Sequence, residues 1–137
     1  MDVKSTFLHG DLLEEIYMEQ PLNFIQYDSC LVCRLKKYLY GLKKAPQAWY
    51  AKIDHFLLAT IFSRCHSDNT IYTKRVNGQL IILVLYVDDL ILTSSDPNLI
   101  NHVKSILKKK FRMTDIGYLH YFLGLQVLES KEGISIS

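Results

Sequence analysis

Cysteine is scarce in this chain and odd in number: Cys30, Cys33 and Cys65 are the only three. With no signal peptide ahead of them, they argue against a disulfide framework and for a reducing, intracellular setting, cytoplasmic or nuclear and not secreted. Charge of one sign is also lacking. Sixteen Lys and Arg stand against fourteen Asp and Glu, a formal surplus of +2 that does not by itself mark a polyanion partner. Any nucleic-acid argument must come from where the charges sit. No apolar run is long enough to span a bilayer, and the longest candidate is broken by two aspartates, so no membrane role is expected. Repeats, low-complexity tracts and linkers are absent. What remains is 137 residues, 49% hydrophobic, 12% aromatic and 22% charged, with 6 Gly and 3 Pro. That composition reads as one soluble globular domain with enough apolar residues for a core.

Patterning predicts the elements. After Pro46, the residues Trp49, Ile53, Phe56, Leu57 and Thr60 recur at helical spacing, and proline suits a first helical turn. "TIYTKRV" and "QLIILVLYV" flank Asn77-Gly78, the dipeptide that most readily turns a type I′ hairpin, so strands are expected at about 70 to 76 and 79 to 87. The second strand is apolar at nearly every position, which suits a central strand covered on both faces. "LILTS" continues as a further strand. A second helix starts at Asp96 as N-cap with Pro97 first, and aligns Leu99, Ile100, Val103, Ile106, Leu107 and Phe111. Lys108, Lys109 and Lys110 suit its C-terminal end. A last hairpin, "HYFLGLQVLES" into "ISIS", turns at Lys131-Glu132-Gly133. The expected class is α+β, an antiparallel sheet covered on one side by two helices.

"LIILVLYVDDLILTSS", residues 80 to 95, sets Asp88 and Asp89 between two apolar strands, at the expected tip of a tight hairpin. Asn-Gly makes such a turn without placing two like charges side by side. An exposed turn is one explanation. A divalent cation is the other, because Mg²⁺ takes hard oxygen ligands and is commonly held by one or two carboxylates together with water and substrate phosphates.

Four ordered stretches favour the second explanation. "YVDD" at 86 to 89 resembles the Tyr-X-Asp-Asp box of reverse transcriptases. "DVKSTFLHGDLLEEIYMEQP" from Asp2, "VCRLKKYLYGLKKAPQAWY" from Val32 and "FRMTDIGYLHYFLGLQV" from Phe111 resemble successive blocks of the copia-type LTR-retrotransposon polymerase, in the same order. Together they cover nearly the whole chain.

The resemblance implies an RNA-directed DNA polymerase palm whose two metal ions, Mg²⁺ or Mn²⁺, are bound by Asp2, Asp88 and Asp89, with Asp2 and Asp88 as the direct ligands. The partners implied are an RNA or DNA template with its primer, a deoxynucleoside triphosphate, and the remainder of a Pol polyprotein. Phe7 matches the aromatic beneath the incoming sugar, where a flat ring excludes a 2′-hydroxyl; a core phenylalanine is its other reading. Lys4 suits a triphosphate contact or plain surface solvation, backbone N–H groups around Ser5 and Thr6 could cradle phosphate oxygens, and Tyr86 opens the box. Tyr40, Gly41, Lys43 and Pro46 resemble the loop that lies along the template, although many reverse transcriptases have Gln where Tyr40 stands. Arg34, Lys36, Lys37 and Lys44, interleaved with Tyr38 and Tyr40, suit a nucleic-acid backbone or a solvated loop equally. Phe122, Leu123 and Gly124 resemble the primer grip, Phe122 suiting an ordinary buried strand as well.

Cys30 and Cys33 have metal-ligand spacing but no second pair, and the histidines accompany no nucleophile. A palm strand is expected before Asp2 and is missing, as are the fingers and thumb, so an apolar sheet edge is expected to be exposed. The chain is therefore expected to be a polymerase fragment, weak or inactive alone. A non-catalytic nucleic-acid-binding remnant of a retrotransposon is the alternative.

Overall fold

Two successive hairpins sharing one strand form the frame. The computed structural model describes residues 1–25, 30–130 and 133–137, without the side chains of residues 129, 130 and 134. In chain order the strands are β1 (Asp2–Val3), β2 (Tyr17–Glu19), β3 (Val32–Arg34), β4 (Ser63–Arg64), β5 (Ile71–Val76), β6 (Gln79–Tyr86), β7 (Asp89–Ser94), β8 (Met113–Thr114), β9 (Tyr121–Phe122), β10 (Leu125–Ser130) and β11 (Gly133–Ile136). The α-helices are α1 (Ala45–Ala59) and α2 (Pro97–Lys110). The chain divides into two units, Met1–Lys4 with Arg64–Ser137, and Ser5–Ser63.

The first unit holds a six-stranded sheet in the order β4-β5-β6-β7-β1-β8. Asn77 and Gly78 turn β5 into β6 with φ of 50° and 82°, both positive as a type I′ turn requires. β6 is central, as its sequence predicts. It is not covered on both faces: Ile81, Leu83 and Leu85 are buried while Leu80, Ile82 and Val84 between them stay half-exposed. An unbroken apolar run is compatible with one-sided burial, because much of any folded surface is apolar. Tyr72, Leu90 and Val3 join the buried face. Each fully buried large aliphatic side chain contributes about 1.5–3 kcal/mol by leaving water.

Helix α2 packs against β7 and β8 and buries Leu99, Val103 and Leu107, with Phe111 buried at its end. Asp96 caps it, its carboxylate accepting from the Asn98 N–H at 2.9 Å. The expected final hairpin is two hairpins. Leu123 and Gly124, at φ 52° and 84°, break the long strand into β9 and β10, and β11 pairs back on β10. Lys131 and Glu132 of the expected turn lie outside the described residues.

Asp2 itself lies in β1, between β7 and β8, and the sheet ends on the two-residue strands β4 and β8. Only the start of β7 is covered in this way. Among the described residues, Ile91 to Ser94 have no strand partner on that side.

In the second unit α1 buries Ala45, Trp49, Ile53 and Leu57 at helical spacing, with Pro46 in the first turn. A 3-10 turn, Thr6–His9, packs on it, the His9 and Trp49 rings lying 5.7 Å apart. Gly10 makes this approach possible: a Cβ there would meet Ala48 Cβ at 3.0 Å and Tyr38 at 3.3 Å. β2 and β3 form an antiparallel ribbon.

Candidate active site

Sheet register brings together acidic residues far apart in sequence. Leu90 and Met1 exchange two hydrogen bonds, Leu90 N–H donating to the Met1 carbonyl at 2.8 Å and the Met1 amine donating to the Leu90 carbonyl at 2.7 Å. Val3 N–H then donates to the Asp88 carbonyl at 2.9 Å. Between these bonded positions Asp2 faces Asp89. That is the non-bonded type of antiparallel pair, in which Cα atoms approach to about 4.5 Å and side chains leave the same face. Tyr86 pairs with Asp89 on the other side and Thr114 with Asp2, so Tyr86, Asp89, Asp2 and Thr114 form a row across four strands.

The hairpin tip differs from the expected Asp-Asp turn. Tyr86 pairs with Asp89, which leaves Val87 and Asp88 as the two loop residues and places Asp89 in the strand. Val87 has φ 49° and Asp88 no positive φ, the pattern of a type II′ turn, whose first loop position normally takes glycine. A β-branched residue there is strained, at a cost of about 1–3 kcal/mol. Asp88 is exposed, and Asp89 is the carboxylate directly opposite Asp2.

The electrostatics follow. Partial burial pushes the Asp89 carboxyl above the ordinary carboxylate value, Asp88 and then Asp2 push it the same way, and the Met1 amine opposes them. Burial lowers the pKa of that amine. Half-buried Asp2 and Asp89 on one sheet face, with exposed Asp88 beside them, are a hard-oxygen donor set suited to Mg²⁺ or Mn²⁺. They are a pair with a neighbour, not a closed cage: among the described residues no group of three or more His, Cys, Asp or Glu side chains gathers as a metal cluster. Two protein carboxylates with the other positions left to water and phosphate is a usual arrangement for Mg²⁺.

The other expected residues fall into two groups. In the sheet unit, the Tyr86 ring meets Phe122 edge-on at 6.1 Å, joining the carboxylate hairpin to the turn at Leu123 and Gly124. A cavity of about 240 Å³ runs beside Asp89, lined by Met1, Ile91, Tyr118, Tyr121 and Phe122 among others. In the other unit, Phe7 is half-buried with its ring 5.8 Å from that of Tyr40, so a residue expected under the sugar and one expected along the template touch each other. Ser5 is exposed at φ 53°, and Thr6 is buried. Gly41 has φ 90° with nothing within 4 Å of a Cβ, so its conformation, not close approach within the chain, calls for glycine. Lys43 and Pro46 are exposed.

Among the basic residues of that loop, Arg34 pairs with Glu15 at 2.7 Å, Lys44 with Glu14 at 2.8 Å, and Lys37 and Lys52 share Asp11 at 3.1 and 2.8 Å. Sequence patterning missed Thr114 beside Asp2 and Arg112 beside Lys4. Only the sheet register reveals them, because both partners come from opposite ends of the chain.

Comparison with known proteins gives the family. The family model for reverse transcriptase (RNA-dependent DNA polymerase) matches residues 1–137. The Retrovirus-related Pol polyprotein from transposon TNT 1-94 of Nicotiana tabacum is 44% identical over 133 residues, 96% of this chain and 10% of the polyprotein. That from transposon RE1 of Arabidopsis thaliana is 37% identical over 138 residues, 100% of this chain and 9% of the polyprotein. A putative transposon Ty5-1 protein of Saccharomyces cerevisiae is 34% identical over 134 residues, 97% of this chain and 44% of that protein. No solved structure matches. The chain belongs to the reverse transcriptase family, and its plant relatives are transposon Pol polyproteins of which it spans about a tenth. The copia-type resemblance holds. No helix among the described residues is long and apolar enough to cross a membrane.

Proposed function

We propose that this chain is palm sequence of an RNA-directed DNA polymerase, a stretch of a Pol polyprotein that joins a deoxynucleoside triphosphate to a primer 3′-hydroxyl on an RNA or DNA template. The observation that carries the reading is the register pairing of Asp2 with Asp89, with Asp88 adjacent in the loop. Asp2, Asp88 and Asp89 would hold two divalent ions, Mg²⁺ or Mn²⁺, which when bound lower the pKa of an attacking hydroxyl and neutralise a departing pyrophosphate.

The chain's own groups do the rest. Asp2 and Asp89 share a sheet face, with Asp88 in the adjoining loop, and a primer end and a triphosphate would meet them there. The β6–β7 ladder holds the loop in its strained shape at Val87, so that the carboxylates would need little reorganisation when a ligand arrives. Tyr86 is braced by Phe122, and the turn at Leu123 and Gly124 would steady the primer end against the hairpin. Lys4, with the backbone at Ser5 and Thr6, would take triphosphate oxygens. Phe7, packed on Tyr40, is a flat wall of the kind that excludes a 2′-hydroxyl. Gly41, Lys43 and Pro46 would run along the template. Because the chain is about a tenth of its relatives' length, extension by it alone is expected to be slow.

The test is therefore divalent-ion binding and template–primer affinity, measured together. In the unsubstituted chain Mn²⁺ binds, and Asp89→Asn removes that binding while duplex affinity stays. Duplex affinity with no divalent-ion binding would select the non-catalytic remnant instead, and neither activity would exclude both.

A further inference from the structure

Three carboxylates of one short stretch meet four cations drawn from the rest of the same unit. Asp11 takes Lys37 at 3.1 Å and Lys52 at 2.8 Å, Glu14 pairs with Lys44 at 2.8 Å and Glu15 with Arg34 at 2.7 Å. The cations come from separate elements: Arg34 ends β3, Lys37 follows it, Lys44 immediately precedes α1 and Lys52 lies within α1. Hydrogen bonds from Lys52 and then Lys37 hold the Asp11 carboxyl below the ordinary carboxylate value, and the bond to Glu14 holds Lys44 above its own.

Little else fastens that stretch. Residues 11–16 are neither helix nor strand, and among the described residues the backbone of 11–15 makes no hydrogen bond to other backbone. Asp11, Glu14 and Glu15 are exposed, and Leu13 between them is 89% exposed. The ends are fixed, Gly10 N–H donating to the Phe7 carbonyl at 3.2 Å and Leu35 N–H to the Ile16 carbonyl at 2.9 Å. Exposed ion pairs contribute little to stability, and a segment with few buried contacts opens at small cost.

The surface that the stretch pairs with has the composition of a nucleic-acid surface. Lys36 and Lys43 are exposed, with no ion-pair partner among the described residues, and Tyr40 stands almost wholly exposed between them in sequence. Cations interleaved with an exposed aromatic ring suit a phosphate backbone with bases to stack. Phosphates offer each paired cation the same charge-assisted contact that a carboxylate does, and release counterions besides, so at low salt the exchange favours nucleic acid.

We propose that residues 11–15 are a displaceable acidic strap: they occupy Arg34, Lys37, Lys44 and Lys52 in the free chain, and the backbone of a template–primer duplex takes those cations in their place. The strap rests on the polymerase reading for its partner, and is testable without metal or chemistry. Affinity for a labelled RNA–DNA template–primer is read by fluorescence anisotropy on the whole chain, with a chelator present. Asp11→Asn with Glu14→Gln is expected to tighten binding about fivefold at low salt, a gain that shrinks below about twofold at high salt. Asp68→Asn with Asp115→Asn removes the same charge from the other unit and is expected to change affinity less than about twofold. Glu14→Gln alone is expected to tighten binding, but not in a chain that already carries Lys44→Gln, because the cation it releases is then gone. Thermal melting checks that each variant is folded.

A duplex affinity that Asp11→Asn with Glu14→Gln leaves unchanged, an equal gain from Asp68→Asn with Asp115→Asn, or a gain from Glu14→Gln that persists beside Lys44→Gln would overturn the strap and leave the polymerase reading in place. No duplex affinity in either the unsubstituted or the strap-substituted chain would overturn the strap together with the template contact it rests on. The expected gain in a chain that binds no Mn²⁺ would keep the strap and replace the polymerase reading with the non-catalytic remnant.

Discussion

β6 is turned at both ends by two-residue hairpin loops, and the two loops obey opposite rules. At one end Asn77-Gly78 occupies positive φ with residues that tolerate it. At the other, Val87 holds φ 49° against its β-branched side chain, and the loop brings Asp88 and Asp89 to Asp2. The first turn is what hairpin physics selects for stability alone. The second gives up stability at every step, through backbone strain, like-charge repulsion and partial burial of Asp89. Under the proposed reading, a bound cation would offset the repulsion that makes this turn costly in the free chain.

The largest expected effect breaks the second turn's purpose. Asp2→Asn or Asp89→Asn is expected to weaken Mn²⁺ binding at least about a hundredfold, because each would remove a proposed ligand where even outer-shell losses cost 10–100-fold. Calorimetric titration checks it. Next come the turns themselves. Gly78→Val, forced to φ 82°, is expected to lower stability by about 1–3 kcal/mol, whereas Val87→Gly is expected to raise it by about 1 kcal/mol. Urea denaturation of the two variants, without divalent ions, should move in opposite directions.

A smaller effect isolates the charge. The Asp89 carboxyl is raised in the fold, so the folded state holds its proton more tightly than the unfolded chain. Its contribution favours folding in acid and turns against folding as pH rises past the ordinary carboxylate value through the raised one. Asp89→Asn is expected to stabilise the metal-free chain at neutral pH by about 0.5 kcal/mol and not at pH 3. Asp115 has the opposite sign. Lys104 beside it holds its carboxyl low, so its stabilisation is present above the ordinary carboxylate value and is lost as pH falls through the lowered one. Asp115→Asn is expected to cost about 0.5 kcal/mol at neutral pH and nothing in strong acid, read by pH-dependent melting. Smallest is Asp11→Asn, on an exposed pair of lysines, expected to change melting by under about 0.5 kcal/mol.

Local signals explain what was legible beforehand. Asn77-Gly78, Asp96-Pro97 and the Trp49, Ile53, Leu57 spacing each encode their element within a few residues, and each appears where it was expected. Leu123-Gly124 carries no strong turn signature, and only the primer-grip resemblance pointed to a hairpin there. β6 misled because hydrophobicity records what a strand can bury, not what covers it. The carboxylates were identified by family resemblance together with their odd place in an apolar run. Their geometry was not readable locally: that Asp89 and not Asp88 faces Asp2, and that Arg112 stands by Lys4, depends on the register between β1, β7 and β8, and no short-range pattern encodes it.

Paramagnetic broadening by Mn²⁺ tests most directly whether those distant carboxylates act together. In a titration of the isotope-labelled chain, the amide signals of residues 2–4 and 88–90 are expected to broaden together at the same low ion concentration, and in Asp2→Asn both sets should stay sharp. Broadening confined to 88–90, unchanged by Asp2→Asn, would mean that Asp2 takes no part in holding the ion and would contradict the account.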